Sequence, residues 1–156
     1  MSYRQVIWLA PLAYAVHILE EAPNFPAWTS RHFTGGFTTA QFVKNNLIVM
    51  AILIALTILA SAHSRRWTIL LHFFQLYGGI FHNALFHIAA AAWLGVLSPG
   101  LISAILLYVP LTYRVTILGW REGRLPQGPA MAVFVLAGLA QSLFVYSQLF
   151  TTAFRL

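Results

Sequence analysis

Five long apolar stretches alternate with short polar segments along the chain. They cover about residues 5–22, 42–62, 67–94, 101–119 and 130–150. A helix needs about 20 mostly apolar residues to cross the hydrocarbon core of a bilayer, and the five stretches are close to that length or longer. Turn-forming residues follow them, such as Pro23 after the first stretch and Ser98-Pro99-Gly100 after the third. The pattern predicts an all-α polytopic membrane protein, a bundle of about five transmembrane helices in one domain over 1–156.

The connection between the first two stretches is longer than the others and mixes aromatic with polar residues. Trp28, Phe33 and Phe37 are interleaved with Arg31 and His32. Such a mixture is typical of the membrane interface. It predicts a short amphipathic or re-entrant piece in this connection.

Composition also indicates a chain that faces lipid. Hydrophobic residues make up 60% of the sequence and charged residues only 8%, against about 45–50% and about 25% in soluble domains. The net charge is +6, which in so apolar a chain indicates arginines at the membrane boundary. We therefore expect the lipid bilayer as a partner, and no nucleic acid. The sequence has no cysteine, so His and Glu are the candidate metal ligands.

The distribution of positive charge over the short loops predicts an orientation. The rule is that cytoplasmic loops carry the excess of Lys and Arg. With the N-terminus inside, the inside set is Arg4, Arg65, Arg66, Arg114, Arg121 and Arg124, and the outside set is Arg31, Lys44 and Arg155. We expect a protein integral to a cell membrane, with its N-terminus inside and its C-terminus outside.

Two of the three acidic residues are adjacent near the end of the first apolar stretch. Glu20 and Glu21 follow His17 at positions i+3 and i+4, so the three side chains share one helix face. A charge at the centre of a membrane helix costs roughly 2.5–3.5 kcal/mol, so a carboxylate there is by default a functional-site hypothesis. The competing explanation is that the pair lies at the outer interface, which leaves His17 without a partner.

The third apolar stretch offers partners for this face. Asn83 and His87 are four residues apart and share a face, whereas His82 points about 100° away from Asn83. The first and third stretches run in the same direction. At about 1.5 Å per residue, His82, Asn83 and His87 reach the depth of the glutamate pair, and His72 does not. The competing explanation for each histidine is a packing residue with a hydrogen bond.

Carboxylates and histidines from two helices are the parts of a metal site inside a helical bundle. A divalent cation would relieve both the desolvation and the mutual repulsion of the carboxylates. The spacing also resembles the inverted zincin motif, His-x-x-Glu-His, with Glu in place of its second His. By this analogy the metal, with zinc as one candidate, is bound by His17, Glu21 and His87, and the general base is Glu20. Depth predicts Asn83 and His82 as supporting residues. If both glutamates bind, a two-metal site is the alternative.

The same residues resemble the motif of the HXXEE family, which comprises small integral membrane proteins of unknown function. The motif residues are His17, Glu20 and Glu21, and Phe25-Pro26 follows them. The family is also described by a further histidine, which Asn83-Ala84-Leu85-Phe86-His87 resembles.

A last motif of the family, Tyr-x-Pro-Gly, resembles Leu97-Ser98-Pro99-Gly100, with Leu97 in place of the tyrosine. The resemblance extends from about Leu9 through Tyr113. It implies no particular activity, but it favours His87 over His82 as the partner of the first helix.

Several functional hypotheses follow from these residues. The leading one is a membrane-embedded, metal-dependent enzyme of the hydrolase type that acts on a lipophilic small molecule between the first and third helices. A second is a metal-free isomerase or cyclase, in which one of two adjacent carboxyl groups stays protonated and acts as a general acid. A third is a proton-coupled transporter or binding protein, although no internal repeat supports it. A purely structural subunit is the fourth.

Overall fold

The computed structural model describes residues 1–63 and 65–151. Within these ranges the chain is helical and has no strand, which confirms the predicted all-α class. A single helical turn, Tyr3–Val6, is followed by the main helices. These are α1 (Leu9–Glu21), α2 (Phe25–His32), α3 (Thr39–Ala62), α4 (Arg66–Leu94), α5 (Leu101–Arg121) and α6 (Gln127–Leu149).

Four of these helices, α3 to α6, are long and apolar enough to cross a membrane. They coincide, to within three residues at each end, with the last four predicted stretches. The connection before α3 contains α2, a short helix with Pro26 in its first turn, where proline is well tolerated. This helix occupies the position for which the sequence predicts an amphipathic or re-entrant piece.

The first predicted stretch, 5–22, is divided between the N-terminal turn and α1. Pro11 explains the division, because it has no N–H to donate to the carbonyl of Ile7 four residues earlier. Ala10 N–H donates to that carbonyl instead, at 3.1 Å. Helix α1 has 13 residues, about 20 Å at 1.5 Å per residue, and is not one of the four helices of membrane-spanning length. It packs against α3 and α5.

Local hydrogen bonds define the start of α3 and attach the end of α6 to the connection before α3. The Thr38 hydroxyl accepts from Gln41 N–H and the Gln41 side chain accepts from Thr38 N–H, at 3.1 and 3.0 Å, which is a capping box. Three residues before Thr38, Gly35 N–H donates to the carbonyl of Leu149 at 2.6 Å. This bond satisfies one of the carbonyls that α6 leaves unpaired at its end. It attaches the α2–α3 connection to α6.

The N-terminal turn is attached to the connection between α5 and α6. Tyr3 N–H donates to one oxygen of the Glu122 carboxylate at 2.6 Å, and Arg124 Nε donates to the other at 2.9 Å. The two segments therefore lie at the same end of the protein, as the orientation prediction requires. The side of the membrane that this end faces stays a prediction, and Arg155 lies outside the described residues.

We expect the attachment at Glu122 to weaken at acid pH. The backbone N–H of Tyr3, with Arg124 beside it, holds the pKa of Glu122 below its ordinary value of 4.5. A carboxyl group whose pKa is lowered by folding stabilises the fold above its unfolded pKa, and this contribution is lost as the pH falls through the folded value. From about pH 6 to about pH 3, the unfolding temperature of the wild type is therefore expected to fall further than that of Glu122→Gln. Equal falls would show that Glu122 does not contribute.

Helices α4 and α5 each contain a π-helical segment. Tyr77–His82 is the π-helical part of α4, and Ala104–Tyr108 is that of α5. A π segment adds a residue to a helical turn and is frequently found at functional sites. Asn83 follows the first segment directly and Ser103 directly precedes the second. Both residues contact the buried polar group described next.

Candidate metal centre

His17 and Glu21 of α1 meet His87 of α4 in one buried group. One carboxylate oxygen of Glu21 lies 3.2 Å from His87 Nε2 and the other lies 3.6 Å from His17 Nε2. One candidate ligand atom from each residue lies within 4.8 Å of the other two, and none of the side chains is more than 6% exposed. These three residues, called the His/Glu group below, could hold a metal ion.

A serine holds each histidine by its other ring nitrogen. His17 Nδ1 lies 2.8 Å from Ser103 Oγ, and His87 Nδ1 lies 2.9 Å from Ser98 Oγ. Each hydroxyl also donates to a backbone carbonyl, at 3.2 and 3.4 Å respectively. Because a hydroxyl has a single proton, each serine oxygen accepts the proton of the histidine Nδ1–H. The neutral rings therefore carry their lone pairs on Nε2, on the side of the carboxylate.

Asn83 bridges the two imidazole rings. Its Nδ2 lies 3.0 Å from His17 Nε2 and 3.3 Å from His87 Nε2. Its Oδ1 accepts a hydrogen bond from Gln141 Nε2 at 3.3 Å. Gln141 thereby sets the orientation of the Asn83 amide, since it occupies the oxygen and leaves the NH₂ group for the histidines. The structure thus places Asn83 between the two histidines of the group.

The connection between α4 and α5 closes over the group at Gly100. This residue has φ 92°, a left-handed conformation that favours glycine. A Cβ atom at this position would lie 2.7 Å from His17 Cε1, 3.0 Å from Glu21 Cγ and 3.0 Å from His87 Cε1. Backbone conformation and lack of space therefore both require glycine here.

Glu20 occupies a different environment from its neighbour Glu21. Its two oxygens accept hydrogen bonds from the backbone N–H groups of Ile102 and Ser103, at 3.1 and 2.8 Å. These N–H groups lie in the first turn of α5 and have no partner within their own helix, and a carboxylate there also interacts favourably with the helix dipole. Glu20 is not one of the residues with a ligand atom in the His/Glu group. Its role as general base stays a prediction.

The two other histidines of α4 lie away from the His/Glu group. His82 Nδ1 lies 2.9 Å from the carbonyl oxygen of Tyr77, and its ring packs against Phe134 of α6 with 4.9 Å between centroids. The ring therefore faces α6. His72 is fully buried near the opposite end of α4, at the depth that the sequence predicts to be too far from the glutamates.

Three residues of the site carry no motif that marks them in the sequence. They are Ser103, Gln141 and Tyr108. The ring of Tyr108 packs on His17 with 4.4 Å between centroids, and its buried hydroxyl has no hydrogen-bond partner among the described residues. Their polarity within apolar stretches is the one sequence signal that could have identified them.

A cavity of about 90 Å³ adjoins the His/Glu group. Aromatic side chains form much of its wall, and the polar residues of the wall are His17, Glu21, Asn83, Tyr14, Asn45, Asn46 and Gln141. Phe25, Phe37 and Phe42 contribute to both the cavity wall and a second hydrophobic cluster, which also includes Trp28. A cavity of this size has room for about three water molecules or for a small chemical group.

The fold and the site together define an all-helical protein with helices of membrane-spanning length and a buried group of two histidines and one carboxylate. The chain belongs to the family described as proteins of unknown function with an HXXEE motif, whose family model matches residues 8–115. This confirms the resemblance found in the sequence, with closely similar limits. The match contains the whole His/Glu group and ends within α5. No curated protein and no solved structure matches the chain.

The residues of the HXXEE motif and of the other motif segments have different contacts in the structure. His17 and Glu21 join the His/Glu group, whereas Glu20 caps α5. In the last motif, Gly100 contacts the group. Leu97, at the position where the resemblance implies a tyrosine, is 77% exposed and is not part of the His/Glu group.

Proposed function

We propose that the chain is a membrane-embedded enzyme that uses a divalent metal ion, held by His17, Glu21 and His87, to hydrolyse a lipophilic small molecule. The observation that carries the proposal is the convergence of two Nε2 lone pairs and one carboxylate, with a serine at each Nδ1. Metal-binding histidines almost always donate their other N–H to an acceptor that fixes the tautomer, and the two serine oxygens are such acceptors here. Two histidines and one carboxylate are also a ligand set of catalytic zinc sites, so zinc is one candidate.

The charges near the group suit a divalent cation. Both histidines are held in a form that is neutral, and Glu20 and Glu21 together supply the two negative charges that balance such an ion. An unpaired charge in a water-poor environment is unfavourable, so this balance supports the proposal.

Bound at the His/Glu group, the ion would supply Lewis-acid activation of a water or of a substrate oxygen. Side chains of the protein would accept the proton and stabilise negative charge on the substrate. Glu20 is the proposed proton acceptor, adjacent to Glu21 and bonded to Ser103 N–H. The NH₂ group of Asn83 is directed into the group and is a suitable donor to a substrate oxygen that gains negative charge.

We place this enzyme in the bilayer, with a substrate that arrives from the lipid. The four long apolar helices support this placement. The proposed orientation has the N-terminus inside and the C-terminus outside. The bond from Tyr3 to Glu122 supports it, because it brings Arg4, Arg121 and Arg124 to one end of the protein.

Metal content tests the proposal. We expect purified wild-type protein to hold about one transition-metal ion per chain. His87→Gln removes one ligand while keeping a polar side chain of similar size, and we expect its metal affinity to fall by about tenfold or more. His82→Gln, on the same helix but outside the group, is the matched control and is expected to retain the metal. Equal metal content in the two variants, or a wild type that binds neither zinc, manganese nor iron, would contradict the proposal.

A second candidate is an acid–base enzyme without a metal, such as an isomerase or cyclase. The observation in its favour is the 3.2 Å contact between Glu21 and His87 Nε2. Because Nδ1 of this histidine already bears its proton, a hydrogen bond across the contact requires a further proton, and such a pair can act as a general acid. Activity that survives chelators and is lost in Glu21→Gln would select this candidate over the metal enzyme.

A further inference from the structure

Helices α3 and α6 each contribute one face to the cavity beside the His/Glu group. The cavity-lining residues are Phe42, Asn45, Asn46 and Val49 on α3, and Gln141, Phe144, Val145 and Leu149 on α6. Their spacing, with steps of three and four residues, puts each set on a single helix face. Each otherwise apolar face therefore presents amide groups to the cavity.

These amides are unusual in helices of membrane-spanning length. A polar group in hydrocarbon is unfavourable unless it has a hydrogen-bond partner. Asn46 Oδ1 accepts from the Tyr14 hydroxyl at 2.7 Å, and Gln141 donates to Asn83. The side chain of Asn45 is half-buried and has no hydrogen bond within the described part of the chain. Asn45 thus offers an unused donor and an unused acceptor to the cavity.

The described side chains that line the cavity provide no cation for an anionic ligand. Among the described residues that line it there is no lysine or arginine, and Glu21 is the one acidic residue. Lys44 is next to Asn45 in sequence but is exposed and is not part of the wall. A divalent ion in the His/Glu group would be balanced by Glu20 and Glu21. An anionic headgroup would therefore lose its hydration here without gaining a cation as partner.

The two amide-bearing helices are also the ones least covered by the rest of the protein. Only 17% of the most apolar part of α3 and 11% of that of α6 is buried inside the fold. In a bilayer, most of their surface would contact lipid tails. A lipophilic molecule in the bilayer can therefore contact both of these cavity-lining helices without passing through water.

We propose that the cavity binds an uncharged amphiphile whose headgroup is a hydroxyl, carbonyl or amide, and whose apolar part extends between α3 and α6 into the lipid. The headgroup hydrogen-bonds to Asn45 and Gln141, beside the His/Glu group. The assignment rests on the proposed function, because it names the substrate class of that enzyme. It excludes phosphate esters and fatty acid anions as substrates.

Four ten-carbon probes that differ only in the headgroup test the proposal. Wild-type protein is reconstituted in nanodiscs of neutral lipid with a chelator present, and its unfolding temperature is measured with decanol, decanamide, decanoate or decane. Decanol and decanamide are expected to raise the unfolding temperature in a saturable manner, as a ligand that binds the folded state does. Decanoate and decane are expected not to do so. An equal shift with decanoate, or no shift with any probe, would overturn the proposal.

Variants locate the binding to the two helix faces. Asn45→Leu and Gln141→Leu each remove one headgroup partner, and we expect each to weaken decanamide binding roughly five- to tenfold. Ser142→Leu, exposed beside Gln141 on α6, is the matched control, and Lys44→Gln tests the neighbouring cation; both are expected to bind as the wild type does. Unchanged binding in both amide variants overturns the proposal. If either amide variant fails to fold, the wild-type probe series still decides.

The chelator separates this proposal from the metal enzyme. A wild type that contains no metal but distinguishes decanamide from decanoate would overturn the proposed metal function and retain the ligand class. A metal-loaded protein that binds decanoate as well as decanamide would retain the proposed metal function and overturn the ligand class.

Discussion

Gly100→Ala is expected to destabilise the protein by about 2–5 kcal/mol and to abolish metal binding by the His/Glu group. The lower part of this range comes from the backbone, because a non-glycine residue at φ 92° occupies the unfavourable left-handed region. The rest comes from overpacking, since the added methyl would meet His17, Glu21 and His87 at 2.7 to 3.0 Å. These side chains must then separate, which breaks the geometry on which metal binding depends.

The matched control for this substitution is Gly95→Ala at the other end of the same connection. Gly95 also has a positive φ, of 67°, but a Cβ atom there would meet nothing within 4 Å. It therefore isolates the backbone contribution, of about 1–2 kcal/mol, and is expected to leave metal content unchanged. Unfolding temperature and metal content measured on both variants give the comparison. A Gly100→Ala protein that keeps its metal would show that the group does not need the close contact.

The fold could be predicted largely from the lengths of apolar stretches. A span is a property of composition over about 20 residues, so neither packing nor long-range contacts had to be known to locate α3 to α6. The first stretch has the same composition, but it divides between Val6 and Leu9 because Pro11 cannot donate one backbone hydrogen bond. Its remaining helix is too short to be counted as a span.

The part of the candidate site that depends on spacing within a single helix could be predicted from the sequence. His17 and Glu21 are four residues apart on one α-helix, and Asn83 and His87 are four apart on another, and both pairs reach the group. Depth alone left His82 and His87 as equal candidates. Their angular positions separate them only once it is known that α6 packs on the side of His82.

Helical spacing could not predict the angles across a π segment or the contacts between helices that are distant in sequence. The π segment Tyr77–His82 lies between His72 and Asn83. The angle between these two side chains around the helix therefore cannot be calculated with 3.6 residues per turn. Ser103 and Gln141 reach the group from helices that the spacing within α1 and α4 says nothing about. The tautomer of the histidines, on which the metal proposal depends, follows from Ser98 and Ser103, and hence from packing.

The two adjacent glutamates are expected to respond in opposite ways to the same conservative substitution. Glu21→Gln removes the anionic ligand of the group, and we expect metal affinity to fall by about a hundredfold or more. The metal-free protein is expected to lose little stability, because a buried carboxylate is costly to desolvate and its removal leaves neutral histidines rather than an unpaired charge.

Glu20→Gln is expected to retain the metal and to lose about 1 kcal/mol of stability, the usual cost of losing a helix cap. The reason is that its carboxylate accepts from Ile102 and Ser103 N–H at the start of α5, and that an amide provides one acceptor and no charge there. Metal titration and thermal unfolding of both variants, with and without a chelator, measure the contrast. If Glu20→Gln loses as much metal affinity as Glu21→Gln, both glutamates bind metal, and the two-metal site replaces the single ion. If only its activity is lost, while metal and fold are kept, Glu20 is the proton acceptor.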